Sequence, residues 1–93
     1  MIASFADRNA EALFRRERIA RMDARLQRVA LRKLVMLDAA ATLDDLRIPP
    51  GNRLEALKGE RKGQHSIRIN DQWRIVFEWK NNAAHNVAIV DYH

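Results

Sequence analysis

An α+β fold, with N-terminal helices packed on one face of an antiparallel sheet, is what this 93-residue sequence predicts. Three observations carry that expectation. Apolar residues recur at helical spacing from Asp23 to about Ala41, they alternate with polar ones after Ser66, and the two regimes meet at Ile48-Pro49-Pro50-Gly51-Asn52. At the junction two prolines remove backbone donors and a glycine permits a sharp turn. Helices on one side and strands on the other give a sheet with one covered face and one open face. The chain is long enough for one core, whereas two half-chains would each be too small, so residues 1–93 read as a single domain.

Taken in order, Ile2–Phe5 is short and apolar, an edge strand by composition. Arg8–Arg16, with Ala12, Leu13 and Phe14, reads as a short helix. The clearest element follows: Met22, Leu26, Val29, Ala30, Met36, Leu37 and Ala40 form one helix face. Arg21, Arg25, Arg28 and Arg32 form a stripe beside that face. Lys33 falls within the apolar arc, which predicts a dry stem and a wet ammonium. Leu31 and Val35 fall outside it and are free to meet a partner. In the second half, Ser66–Asn70 and Trp73–Trp79 alternate around Asn70-Asp71-Gln72, which predicts a hairpin. Lys80 to His85 reads as the next turn, and Val87–Tyr92 as a third strand. Its parity stays open: either Val87, Ile89 and Asp91 or Ala88, Val90 and Tyr92 face inward.

Composition excludes several classes. No apolar run is long enough to cross a membrane, and the first residues lack the basic and apolar regions of a secretory signal. With no cysteine there is no disulfide or thiolate chemistry, which suits a cytoplasmic protein. Three widely spaced histidines (His65, His85 and His93) make no metal-ligand pattern, so neither metal nor cofactor is expected. Seventeen Lys and Arg against twelve Asp and Glu give a net charge of +5. Arginine dominates the cations, and its planar fork suits phosphate. A polyanion, foremost nucleic acid, is the partner such a balance favours.

Strand alternation locates that partner. If Ile67, Ile69, Trp73, Ile75 and Phe77 point at the helices, then Arg68, Asn70 and Arg74 point to the open face. The basic, glycine-punctuated segment from Arg53 to Gly63 precedes them. Between Arg53 and Arg74, six Lys and Arg stand against three Asp and Glu, a local excess of +3. Singly, each arginine is an ordinary polar residue on a wet sheet; together they make a surface for a phosphate backbone. The chain then ends Asp91-Tyr92-His93. These residues read either as a frayed polar tail or as proton-handling groups directly after an apolar strand.

The run Pro50–Gly59, with Arg53, Glu55 and Lys58, then Gly63–Ile75, with Arg68, Asn70 and Arg74, then Val90-Asp91-Tyr92-His93, resembles the HigB-type toxins of the RelE superfamily, and within them the GraT branch. The resemblance spans essentially the whole chain, including the opening Met1–Phe5 and Arg32-Lys33-Leu34. It implies a RelE-like, microbial-ribonuclease-like fold and a ribosome-dependent endoribonuclease that cleaves messenger RNA in the A site. It also implies a HigA-type helix-turn-helix antitoxin as partner. Lys58, Arg74, Asp91, Tyr92 and His93 fall at active-site positions, with Arg68, Asn70, Arg53 and Glu55 as substrate contacts. Some relatives carry a histidine where this chain has Glu55, which makes Glu55 an alternative base. The arginines at 21, 25, 28 and 32 read either as a solvated helix face or as ribosomal RNA contacts. The chemistry implied is attack by the RNA 2′-OH, for which the nucleophile is already on the substrate. The rival readings are a non-catalytic nucleic-acid-binding module and an antitoxin-binding module.

Overall fold

In the computed structural model, residues 1–20 and 22–91 are described, and two helices are followed by four strands in an antiparallel sheet of order β1-β2-β3-β4. Helix α1, Arg8–Phe14, starts where the Asp7 carboxylate accepts from the Asn9 amide. Helix α2, Ala24–Ala39, starts in the same way, with the Asp23 carboxylate accepting from the Leu26 amide. Three short 3-10 turns, Leu43–Arg47, Pro50–Asn52 and Gly59–Arg61, carry the chain into the sheet. The strands are β1, Glu55–Ala56; β2, Gln64–Arg68; β3, Trp73–Lys80; and β4, Ala83–Asp91.

The helices cover one sheet face, as the change of period predicts. Leu13, Ala30, Leu34 and Leu37 pack with Ile67, Ile75, Phe77, Val87 and Ile89 in one apolar cluster. Leu34, fully buried, moves the centre of the inward arc of α2 away from Met36 and Val29, which are only partly buried. Val35 is 40% exposed, as its position off the arc requires, whereas Leu31, expected to be exposed with it, is half-buried against the core.

Several local expectations change. Lys80 to His85 is a two-residue turn rather than a six-residue one. Asn81 and Asn82 both have positive φ, the geometry that lets a tight hairpin follow the strand twist, so pairing resumes at Lys80↔Ala83. Further along, Val76 pairs with Ala88 but Glu78 pairs with His85, which leaves one extra residue in β4. Asn86, with φ 53°, sits at this bulge. The bulge reverses the alternation, so Ala84 and Val87 both reach the core. Beyond it, Val87 and Ile89 are the inward set, which resolves the parity left open by the sequence. The N-terminal segment is two parallel bridges, Ile2↔Ala84 and Phe5↔Val87, that cover the outer edge of β4. Among the described residues no helix is long and apolar enough to cross a membrane.

Candidate active site

The sheet face opposite the helices is built by cross-strand register. Arg68 pairs with Arg74, Ser66 with Val76, and Glu55 with Ser66. Alternation therefore sets Glu55, Ser66, Arg68, Arg74 and Val76 on that one face. The face was expected to be bare, and its centre is not. Ser66 is 0% and Arg74 7% exposed. Two hydrogen bonds explain the burial of Arg74: its Nε donates to Ser66 Oγ at 2.8 Å, and its Nη2 donates to the Arg53 carbonyl at 2.7 Å. The arginine is on the predicted face but is clamped there by polar groups rather than lying open to water.

Arg53 thus contributes its backbone. Its side chain is exposed, and its φ of 46° lies in the left-handed region, which costs a residue with a Cβ about 1–2 kcal/mol. Arg68 pairs with Asp71 in the hairpin turn. The Asn70 carboxamide oxygen accepts from the amides of Gln72 (2.9 Å) and Trp73 (2.8 Å), which fixes the same turn. Lys58 precedes the Gly59–Arg61 turn and lines, with Glu55, Ala56, Leu57 and Arg61, an open cleft of about 500 Å³. Its wall carries one carboxylate, Glu55, and two cations, Lys58 and Arg61. Asp91 pairs with Trp73 and so lies on the helix-side register, one residue past Val90, the partner of Arg74. Its carboxylate accepts from Gln72 Nε2 at 3.1 Å. The expectations for Tyr92, His93 and Arg21 concern residues outside those described.

The arginine stripe of α2 divides. Arg25 and Arg32 line a cleft of about 440 Å³ together with Asn70, whereas Arg28 lines a different cleft with Arg18 and Gln27. Among the described residues no group of three His, Cys, Asp or Glu is arranged to hold a metal ion.

Residues 3–93 match the family model described as a RelE-like toxin of the type II toxin-antitoxin system HigB. The chain belongs to the HigB-like toxin family. It is 41% identical over 90 residues to "Toxin HigB-1" of Vibrio cholerae, covering 96% of this chain and 95% of that one. It is 31% identical to "Endoribonuclease HigB" of Proteus vulgaris over the full length of both. An uncharacterized protein of Haemophilus influenzae is 37% identical over 70 residues, covering 75% of this chain and 69% of that one.

Within this HigB-like chain, three residues around Arg74 escape a reading by residue type. Ser66 carries a recoverable signal, since strand parity puts it on the arginine face. Asn52 is buried to 0% exposure inside what reads as a Pro-Gly turn. Lys33 departs from its expected snorkelling. It is 8% exposed, and its ammonium donates to Asn52 Oδ1. Burial first, and then the neighbouring charges of Arg32 and Arg68, hold its pKa below the usual lysine value.

Proposed function

We propose that this HigB-like toxin is a ribosome-dependent endoribonuclease that cuts messenger RNA in the A site and so inhibits translation. The observation that carries the reading is the register that sets Glu55, Ser66, Arg68 and Arg74 on one sheet face beside the strand ending at Asp91. The similarity to the Proteus vulgaris protein named as an endoribonuclease supports it.

The reaction is metal-independent attack by the 2′-OH on the adjacent phosphate, leaving a 2′,3′-cyclic phosphate or 3′-phosphate and a 5′-OH. Arg74, Arg68 and Lys58 stabilise the charge that builds on the phosphoryl oxygens, usually the largest single contribution. His93 or Tyr92 moves the proton, a step worth about 10²–10⁴-fold, and Asp91 orients the imidazole. Glu55, in the cleft with Lys58, is the alternative base. Arg53 and Asn70 contact substrate beside this set. Arg25 and Arg32, with Arg21 and Arg28, hold ribosomal RNA. A HigA-type antitoxin is the inhibitory partner, and the exposed Val35 of α2 offers it an apolar contact.

End-mapping of messages cleaved on ribosomes tests the chemistry. The expected products carry 5′-OH ends; 5′-phosphate ends rule out attack by the 2′-OH. A protein that blocks translation with messages left intact would instead be the non-catalytic binding module.

A further inference from the structure

We propose that Lys33 and Asn52 are positioning residues that hold the Arg53 carbonyl, and through it the guanidinium of Arg74, in place.

Three links make the connection. The Lys33 ammonium donates to Asn52 Oδ1, and Asn52 Nδ2 donates to the Leu46 carbonyl at 3.1 Å and meets Met36 Sδ at 3.1 Å. The Asn52 side chain is therefore tied to α2 and to the 3-10 turn before it. The next residue is Arg53, whose backbone lies in the left-handed region and whose carbonyl receives Arg74. Adjacent residues thus join the helix layer to the opposite face of the sheet. A left-handed arginine carries a conformational cost that its surroundings must offset. The bonds of Asn52 supply that offset, along with the amide of Arg53 bound to the Pro50 carbonyl at 3.0 Å. Released from Asn52, Arg53 relaxes toward an extended backbone and its carbonyl leaves Arg74. The guanidinium then keeps Ser66 Oγ but loses the direction that the Arg53 carbonyl sets.

A buried lysine bound to a neutral amide is an expensive way to fill a core position. Methionine or leucine would fill the same volume at lower cost, which favours a directional task for this donor over a packing one.

The test has two arms, and only the kinetic arm rests on the ribonuclease reading. In the full ¹⁵N-labelled chain, solvent exchange of the Arg74 Nη2–H protons, which face the Arg53 carbonyl, is measured for wild type, Lys33→Met and Asn52→Ala under conditions where all are folded. Exchange should be faster by about tenfold or more in both variants; unchanged exchange overturns the proposal. In ribosome-dependent cleavage, both variants should lose about 10- to 100-fold in kcat with little change in KM. In an Arg74→Ala background the same substitutions should cost nothing further. An equal proportional loss in that background overturns the proposal, because a general loss of structure would act in both. Wild type that cuts no RNA ends the ribonuclease reading and leaves the exchange arm to decide this one. If Asn52→Ala does not fold, Lys33→Gln carries the same expectation, since its shorter stem withdraws the donor.

Discussion

The two faces of β3 are buried by different forces. On one, Ile75 and Phe77 are at 0% exposure against helical leucines and alanines, held by apolar area and volume. On the other, Arg74 is nearly as buried, but among directed hydrogen bonds, those to Ser66 Oγ and the Arg53 carbonyl included. A core face tolerates a lost methyl in proportion to the cavity left behind. A clamped charge is less forgiving, because a missing partner strands a buried donor. Changes on the apolar face should therefore show in stability alone, whereas changes on the polar face should reach activity as well.

The strongest way to break that division is a pair of neighbours. Arg74→Ala should lower cleavage by about 10²–10³-fold, by analogy with the loss of one donor from a charge-stabilising site. Ile75→Ala should instead cost about 2–5 kcal/mol of stability while leaving activity per folded molecule near normal. Denaturant unfolding and kcat measured on the same preparations decide it. An Ile75→Ala enzyme that stays folded but inactive would erase the distinction between the faces.

Ser66→Ala is a milder probe of the polar face. It removes the acceptor of Arg74 Nε and should cost about 1–3 kcal/mol for a small change in volume. Kinetic losses should appear in kcat. Arg53→Asn separates backbone from side chain at the other end of the clamp. Asparagine tolerates the left-handed backbone, so the carbonyl to Arg74 stays and stability holds or rises by a few tenths of a kcal/mol. If the Arg53 guanidinium contacts phosphate, KM rises while the Arg74 Nη2–H that faces the Arg53 carbonyl stays protected. Loss of that protection would mean the arginine side chain itself maintains the turn.

In β2 and β3 the face of each residue was legible in the sequence, because alternation depends on nothing but neighbours along the chain; in β4 it was not. Arg68 and Arg74 could be set on one surface from Ile67, Ile69, Ile75 and Phe77 alone. Burial was not legible, since it depends on what arrives from elsewhere. The Arg53 carbonyl comes from 21 residues upstream of Arg74, and Asn52 reaches Lys33 across 19 residues. The bulge at Asn86 was hidden for a related reason: it leaves no apolar signature, only a shift of parity between Ala84 and Val87. Lys33 shows the limit most plainly. Its place in the apolar arc marked its stem as dry, but a buried acceptor for its ammonium cannot be inferred from helical spacing.

A smaller comparison concerns the helix that carries the arginines. Arg25 and Arg32 share a cleft with Asn70 at the sheet, whereas Arg28 does not. Charge reversal at Arg25 and Arg32 should weaken ribosome pelleting and reduce its salt dependence, by roughly 0.7–0.9 in slope for each phosphate no longer neutralised. Reversal at Arg28 should do less. Equal effects at all three would make the whole stripe the binding surface, and no effect at any would return it to a solvated helix face.

The smallest effect expected is the pH dependence that Lys33 brings to the boundary between helix layer and sheet. Its pKa in the folded protein lies below the 10.5 of an ordinary lysine, which it regains on unfolding. Between those two values the unfolded chain binds more protons than the folded one, so stability rises with pH. Below the folded value both states are charged, and the full desolvation penalty is present. Above 10.5 both are neutral and the penalty is gone. The groups that face this ammonium are Asn52, which does not titrate, and Arg32 and Arg68, which stay charged throughout. Lys33→Met removes the titration, so the melting temperature of wild type should gain on that of the variant as pH climbs toward 10.5. A flat difference would mean that water reaches the ammonium after all. In that case the polar face of the sheet would be held without help from α2.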